Sequence, residues 1–129
     1  FFDDNNLKGI LPSSWLRHLP YFAVCLLSKN VLSGTVSPEF ASLVQLRIGG
    51  NNLDGTFPFQ AFADSTQMKY LEMGSNNFAQ MTFPPSFAGT QWEAIHFENT
   101  NFVPGPFPTQ LLSLPKLVSL RLPNTNIVG

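Results

Sequence analysis

Four side chains that can carry charge or a proton recur at nearly constant spacing: Arg47, Glu72, His96 and Arg121, at intervals of 25, 24 and 25 residues. Gln45 and Tyr70 stand two residues before Arg47 and Glu72, and Lys69 and Glu93 stand three before Glu72 and His96. Arg beside a carboxylate makes an ion pair. His exchanges a proton near neutral pH. Tyr and Arg are favoured anchors of protein interfaces. Such a set suits recognition through mixed charge and an aromatic ring. It does not suit catalysis, because no nucleophile stands with a base and an orienting group. The chain has no Gly-x-Ser-x-Gly, no His-Glu-x-x-His, and no His or Cys cluster with metal-ligand spacing. The expectation is a non-enzyme with no cofactor and no metal.

Constant spacing requires a repeating scaffold, and the rest of the sequence supplies one. An anchor position is filled by Asn5, Asn30, Asn51, Asn76, Thr100 and Thr125. Two residues after it come Leu7, Leu32, Leu53, Phe78, Phe102 and Ile127. Three before it come Phe2, Leu27, Ile48, Met73, Phe97 and Leu122, and five before it Cys25, Leu46, Leu71, Ile95 and Leu120. Eight before it come Phe22, Leu43, Met68, Trp92 and Leu117. Gly9, Gly34 and Gly55 follow four after it, and then an apolar residue with a nearby Pro, as in Phe57–Pro58 and Phe107–Pro108. A further large apolar residue closes the unit: Trp15, Phe40, Phe62, Phe87 and Leu111.

These six in-phase copies resemble the leucine-rich repeat family, and its plant-type subclass (Leu-x-Leu-x-x-Asn-x-Leu-x-Gly-x-Ile-Pro, about 24 residues) in particular. The resemblance covers nearly all 129 residues. It implies an α/β solenoid: a right-handed superhelix with a short-stranded parallel sheet on the concave face and turns or short 3-10 helices on the convex face. It also implies that the anchor Asn bonds neighbouring backbone and stacks as a ladder. Function in this family sits on the strand residues that face away from the core. Here these are Arg47, Tyr70, Glu72, His96, Arg121, Gln45, Lys69 and Glu93.

Elementary chemistry explains the slots. An apolar-x-apolar pair has period 2, so both side chains face one side of a strand. A buried bend leaves backbone groups that need partners, which Asn supplies in full and Thr with one hydroxyl only. Gly permits a left-handed turn, and Pro fixes φ where a second extended segment ends. The unit Asn30–Asn51 is shorter than the others, and the missing residues predict a tighter crossing between Phe40 and Leu43. Short helical turns are predicted within "PSSWLRHL", "FADSTQM", "FAGTQW" and "TQLLSLPKL", with Pro115 opening a loop. The 13 Phe against two Tyr predict a stack of rings, one or more per unit.

Composition narrows the partners. Net charge is −1, from seven Lys+Arg and eight Asp+Glu, so nucleic acid and an anionic membrane surface are not indicated. Apolar runs such as "YFAVCLL" are far shorter than the roughly 18 residues of a spanning helix. No leader is visible in "FFDDNN", no Asn-x-Ser/Thr sequon occurs, and cysteine-paired caps are lacking. The expectation is a single array over residues 1–129, an uncapped fragment of a longer chain or one whose ends partners cover. A protein or peptide ligand is expected on the concave face, at an extracellular or cell-surface address. The alternative is a structural subunit held in an assembly or cell wall by neighbouring subunits at its lateral faces and ends.

The remaining candidates have bland readings. Arg47–Glu72 and Lys69–Glu93 also read as solvated surface pairs, which contribute little. His96 reads as a lone exposed histidine, His18 as surface, and Cys25 as a buried inert thiol. "IGGNN" lacks the Lys and helix of a phosphate loop. Phe59 and Val103 fit the repeat poorly and read as a lateral contact patch or as local packing.

Overall fold

The computed structural model describes residues 5–11, 16, 23–89 and 91–128. Each apolar-x-apolar stretch forms a three-residue strand: β2 (Val24–Leu26), β4 (Gln45–Arg47), β6 (Tyr70–Glu72), β8 (Ala94–His96) and β10 (Ser119–Arg121). They join in one parallel sheet in the order β10-β8-β6-β4-β2, so successive units lie side by side. After each anchor a second short strand follows: β1 (Lys8–Ile10), β3 (Val31–Gly34), β5 (Asn52–Gly55), β7 (Asn77–Phe78), β9 (Gly105–Pro106) and β11 (Ile127–Val128). The first four of these form a second parallel sheet, and β9 pairs with β11 separately. A bridge from Met81 to Phe102 spans the interval. The second pairing slips where the last two units carry an extra residue before the apolar–Pro step.

The core lies between the sheets. Leu46, Leu71 and Ile95 stack from the first sheet, with Leu27, Ile48, Met73 and Phe97 beside them, all buried. Leu32, Leu53, Phe78 and Phe102 close it from the second. Cys25, the chain's one cysteine, is buried. Phe2, Trp15, His18 and Phe22 lie outside the described residues, as does "PSSWLRHL" apart from Leu16.

The anchor ladder forms as the repeat implies. Asn30 Oδ1 accepts from the Asn5 and Leu7 amides, Asn51 Oδ1 from Leu32, and Asn76 Oδ1 from Leu53, all within 2.9–3.1 Å. Thr100 and Thr125 instead donate to carbonyls of their own units, Glu98 and Leu122.

The outer turns depart from expectation in three places. The short unit still builds a 3-10 turn, Pro38–Ser42, because Ser37 caps the Glu39 amide and Pro38 presets the first φ. A helix forms at Phe59–Ala63, ahead of most of "FADSTQM". The described part of "FAGTQW" contains no helical turn. At "TQLLSLPKL" the expectation holds: a 3-10 turn covers Thr109–Ser113, and Pro115 lies in a turn beyond it.

Phe59 is no lateral patch. It is 5% exposed and touches Phe57, Phe83, Phe87, Phe97 and Phe102 with ring centroids 5.3–6.4 Å apart. The rings meet mostly edge-on or tilted, and among the described residues only Phe83–Phe102 is stacked (4.5 Å, 8°). Edge contacts suit the aromatic quadrupole, so the Phe surplus builds a cluster rather than a continuous stack.

Candidate binding surface

The strand register decides which side chains meet. Leu26, Arg47, Glu72, His96 and Arg121 are direct partners across the five strands, and so are Val24, Gln45, Tyr70, Ala94 and Ser119. The spaced residues of the sequence are thus one continuous file, with Gln45 and Tyr70 in the file beside it. Lys69 and Glu93 sit just before β6 and β8, both exposed, and are joined through backbone: the Glu93 amide donates to the Lys69 carbonyl (2.8 Å). They form no ion pair with each other within 4.0 Å.

Arg47 and Glu72 do pair, Nε to Oε2 at 3.4 Å, with both side chains largely covered. The other carboxylate oxygen, Oε1, accepts a short hydrogen bond from Ser28 Oγ. Glu72 is therefore held from two sides. Arg121 is exposed and lies 3.7 Å from Glu98 Oε1. Gly49 and Gly74 provide the floor of this region. A Cβ on Gly49 would lie 2.9 Å from Glu72 Oε1, and one on Gly74 2.3 Å from the Glu98 carbonyl oxygen. The two glycines, with Ser28, Arg47, Glu72 and Glu98, line an open cavity of about 190 Å³ at the carboxyl ends of the strands.

His96 corrects the reading as an exposed histidine, for it is only 4% exposed. Its Nε2 lies 2.8 Å from Ser119 Oγ and its Nδ1 3.5 Å from Tyr70 OH. The Tyr70 ring meets it edge-on at 5.3 Å. Burial lowers its pKa below 6.5 and the Arg121 charge lowers it further, outweighing Glu98 and Glu72, which raise it. The neutral imidazole is the stable form here near pH 7. Ser28, Glu98 and Ser119 belong to the site although sequence reasoning did not select them. Their signal was positional: each occupies a strand column next to a selected residue. Among the described residues no group of three or more His, Cys, Asp or Glu side chains is placed to hold a metal, and no helix is long and apolar enough to cross a membrane.

No protein-family model matches the chain. Two relatives do. Receptor-like protein 39 of Arabidopsis thaliana is 28% identical over 133 residues, covering 100% of this chain and 15% of that protein. Pollen receptor-like kinase 2 of the same plant is 33% identical over 103 residues, covering 76% of this chain and 16% of the kinase. Among solved structures, the LRR ectodomain of the plant membrane receptor kinase GASSHO1/SCHENGEN3 from Arabidopsis thaliana superposes with a TM-score of 0.78 at 24% identity, over 95% of this chain and 15% of that one. The chain is a plant-type leucine-rich repeat protein. The plant peptide hormone receptor RGFR1, solved in complex with RGF2, gives a TM-score of 0.82 at 21% identity, over 98% of this chain and 20% of that one. This repeat array spans only 15% and 16% of the length of the two relatives. Within the family's architecture the five-stranded sheet is the concave one, so the Arg47–Arg121 file lies on the concave face.

Proposed function

We propose that this array is a non-catalytic binding module that takes a protein or peptide ligand on its concave face, at an extracellular or cell-surface address. The observation that carries this reading is the unbroken file Arg47–Glu72–His96–Arg121, set in register with Gln45 and Tyr70. Its polar groups are positioned before any ligand arrives: Glu72 by Ser28 and Arg47, His96 by Ser119 and Tyr70. Preorganisation of this kind lowers the ordering cost of binding. Tyr70 supplies a rigid ring, and Arg121, Lys69 and Glu93 are the exposed charges around it. Support also comes from structural neighbours whose complexes hold peptides: RGFR1 with RGF2, and HAESA with the peptide hormone IDA and the co-receptor SERK1.

The test is selection of a displayed library of linear random peptides on the immobilised array. Enriched peptides should lose at least tenfold in affinity for the triple variant Arg47→Ala, Tyr70→Ala, Glu72→Ala. Equal capture by that variant sinks the concave-face reading.

A further inference from the structure

The turns that leave β4, β6, β8 and β10 carry uncharged amides and hydroxyls that neither the core nor the concave file uses. On either side of the inward anchor position, the chain presents an outward residue. After the anchor these include Asn52, Asn77 and Asn101, and before it Ser75, Asn99 and Asn124, all six exposed; in the turn after β2 the two positions are held by Lys29 and Val31, and Gly50 precedes Asn51.

The two rows have different origins. Ser75, Asn99 and Asn124 have positive φ, of 58°, 54° and 57°. Asn tolerates that region better than most residues, so the backbone alone accounts for much of its use there. Their side chains nonetheless bond in series: Asn99 Nδ2 donates to Ser75 Oγ (3.0 Å), and Asn124 Nδ2 to Asn99 Oδ1 (2.8 Å). Asn52 and Asn77 begin strands β5 and β7, where Asn is disfavoured. The side chains of Asn52, Asn77 and Asn101 have no hydrogen-bond partner among the described residues. Neither packing nor local conformation accounts for this second row.

Spacing and charge point to the ligand. Neighbouring parallel strands are ~4.8 Å apart, and the two rows are two residues apart along the chain, at most about 7 Å. The result is a repeating lattice of donor–acceptor groups with one row already fixed by its own hydrogen bonds. None of the six residues is ionisable, so the lattice itself offers a charged polymer no counter-charge; Lys29, the one cation in the same column, stands outside it at the β2 end beyond Gly50. We infer that this face binds a neutral polysaccharide, whose sugar rings repeat hydroxyl pairs along a linear chain at a spacing close to that of the strands. The site adjoins the concave cavity, whose lining includes Ser75, but uses none of the file residues and does not rest on the peptide-binding reading.

Affinity electrophoresis tests it, in native gels containing hydroxyethylcellulose, xyloglucan, polygalacturonate or no polymer. Mobility relative to the polymer-free gel should fall in at least one of the neutral polymers and not in polygalacturonate. The triple variant Asn52→Glu, Asn77→Glu, Asn101→Glu should need at least tenfold more polymer for the same retardation. The double variant Asn99→Gly, Asn124→Gly keeps a residue that accepts positive φ and should also weaken retardation, with thermal unfolding confirming that both variants fold. The concave variant Arg47→Ala, Tyr70→Ala, Glu72→Ala should be retarded like the parent. Absence of retardation in both neutral polymers, retardation by polygalacturonate alone, or full retardation of the folded triple Glu variant overturns the inference.

Discussion

The side-chain amide of Asn51 ties its own unit to the one before it by donating to the Leu27 carbonyl across the interface at 3.0 Å. The same NH₂ group donates to Ile48 at 2.9 Å, and Asn51 Oδ1 accepts from Leu32 N at 3.1 Å. Asn76 repeats the arrangement with Ile48, Met73 and Leu53. One residue type, at one position per unit, thus satisfies three backbone groups of a buried bend.

Removing that amide leaves its partners without replacement. Asn51 is buried, and water cannot enter easily to take its place. Each stranded buried group costs roughly 1–3 kcal/mol. Asn51→Ala should therefore lower unfolding free energy by about 2–4 kcal/mol in urea titrations. Asn51→Asp should cost more, because a carboxylate then faces two carbonyl oxygens. A loss below about 0.5 kcal/mol for Asn51→Ala, the scale of an ordinary surface change, would mean that the ladder is not a stabilising element.

The converse change should stabilise. Thr100 reaches only the Glu98 carbonyl, at a long 3.4 Å. By the pattern of Asn76, an amide at this position accepts from Phe78 N and donates to the Met73 and Phe97 carbonyls. Thr100→Asn should raise unfolding free energy by about 1 kcal/mol, the net worth of an added intramolecular hydrogen bond. A thermal midpoint equal to or below that of the parent would show that the Phe-rich units are too tightly spaced for the larger side chain.

The register of the site was legible because it repeats. The in-phase copies fix the pairing of the five concave strands, and the columns Arg47–Glu72–His96–Arg121 and Gln45–Tyr70 follow from counting; the second sheet pairs two residues out of phase, Gly34 with Leu53. Phe59 was not legible, since it occupies no repeat slot and its burial depends on a helix that begins at that residue. The 3-10 turn of the short unit had a local signal, Ser37–Pro38–Glu39, that counting residues overrode. The burial of His96 and its bond to Ser119 depend on how far neighbouring side chains lean over one another, and one-dimensional spacing does not contain that distance.

Gly74 sets the spacing between two units. Its hypothetical Cβ would lie 2.3 Å from the Glu98 carbonyl oxygen and 2.7 Å from the Glu98 nitrogen, both backbone atoms that no rotamer change can move. Gly74→Ala should cost about 1–3 kcal/mol by overpacking. Gly105→Ala, whose Cβ meets nothing nearer than 4.0 Å, should stay within about 0.5 kcal/mol of the parent. Equal effects in chemical denaturation would remove the unit-spacing role of Gly74.

Phe59 joins the rings of neighbouring units, so its truncation should be felt well beyond its own helix. Phe59→Ala leaves a cavity against Phe83, Phe87, Phe97 and Phe102, and should cost roughly 3–5 kcal/mol. Phe59→Leu, which keeps most of the volume, should cost under about half of that. Near-native stability of Phe59→Ala would return Phe59 to the surface role that its position outside the repeat suggested.

His96 should make stability fall in mild acid. Its folded pKa lies below 6.5, chiefly through burial and then through Arg121, whereas the unfolded chain titrates near 6.5. Below 6.5 the unfolded state takes up the proton first, so stability decreases as pH drops from 6.5 to the folded pKa and levels off beneath it. The charged groups around the ring are Glu72 on β6, Glu98 after β8, Arg121 on β10 and Arg47 on β4, with the Tyr70 hydroxyl also facing it. Thermal midpoints measured from pH 7.5 to 5 should therefore decline in the parent. In His96→Gln, which keeps a neutral hydrogen-bonding side chain near Ser119, they should decline less. A parallel decline in both proteins would assign the acid sensitivity to groups other than His96.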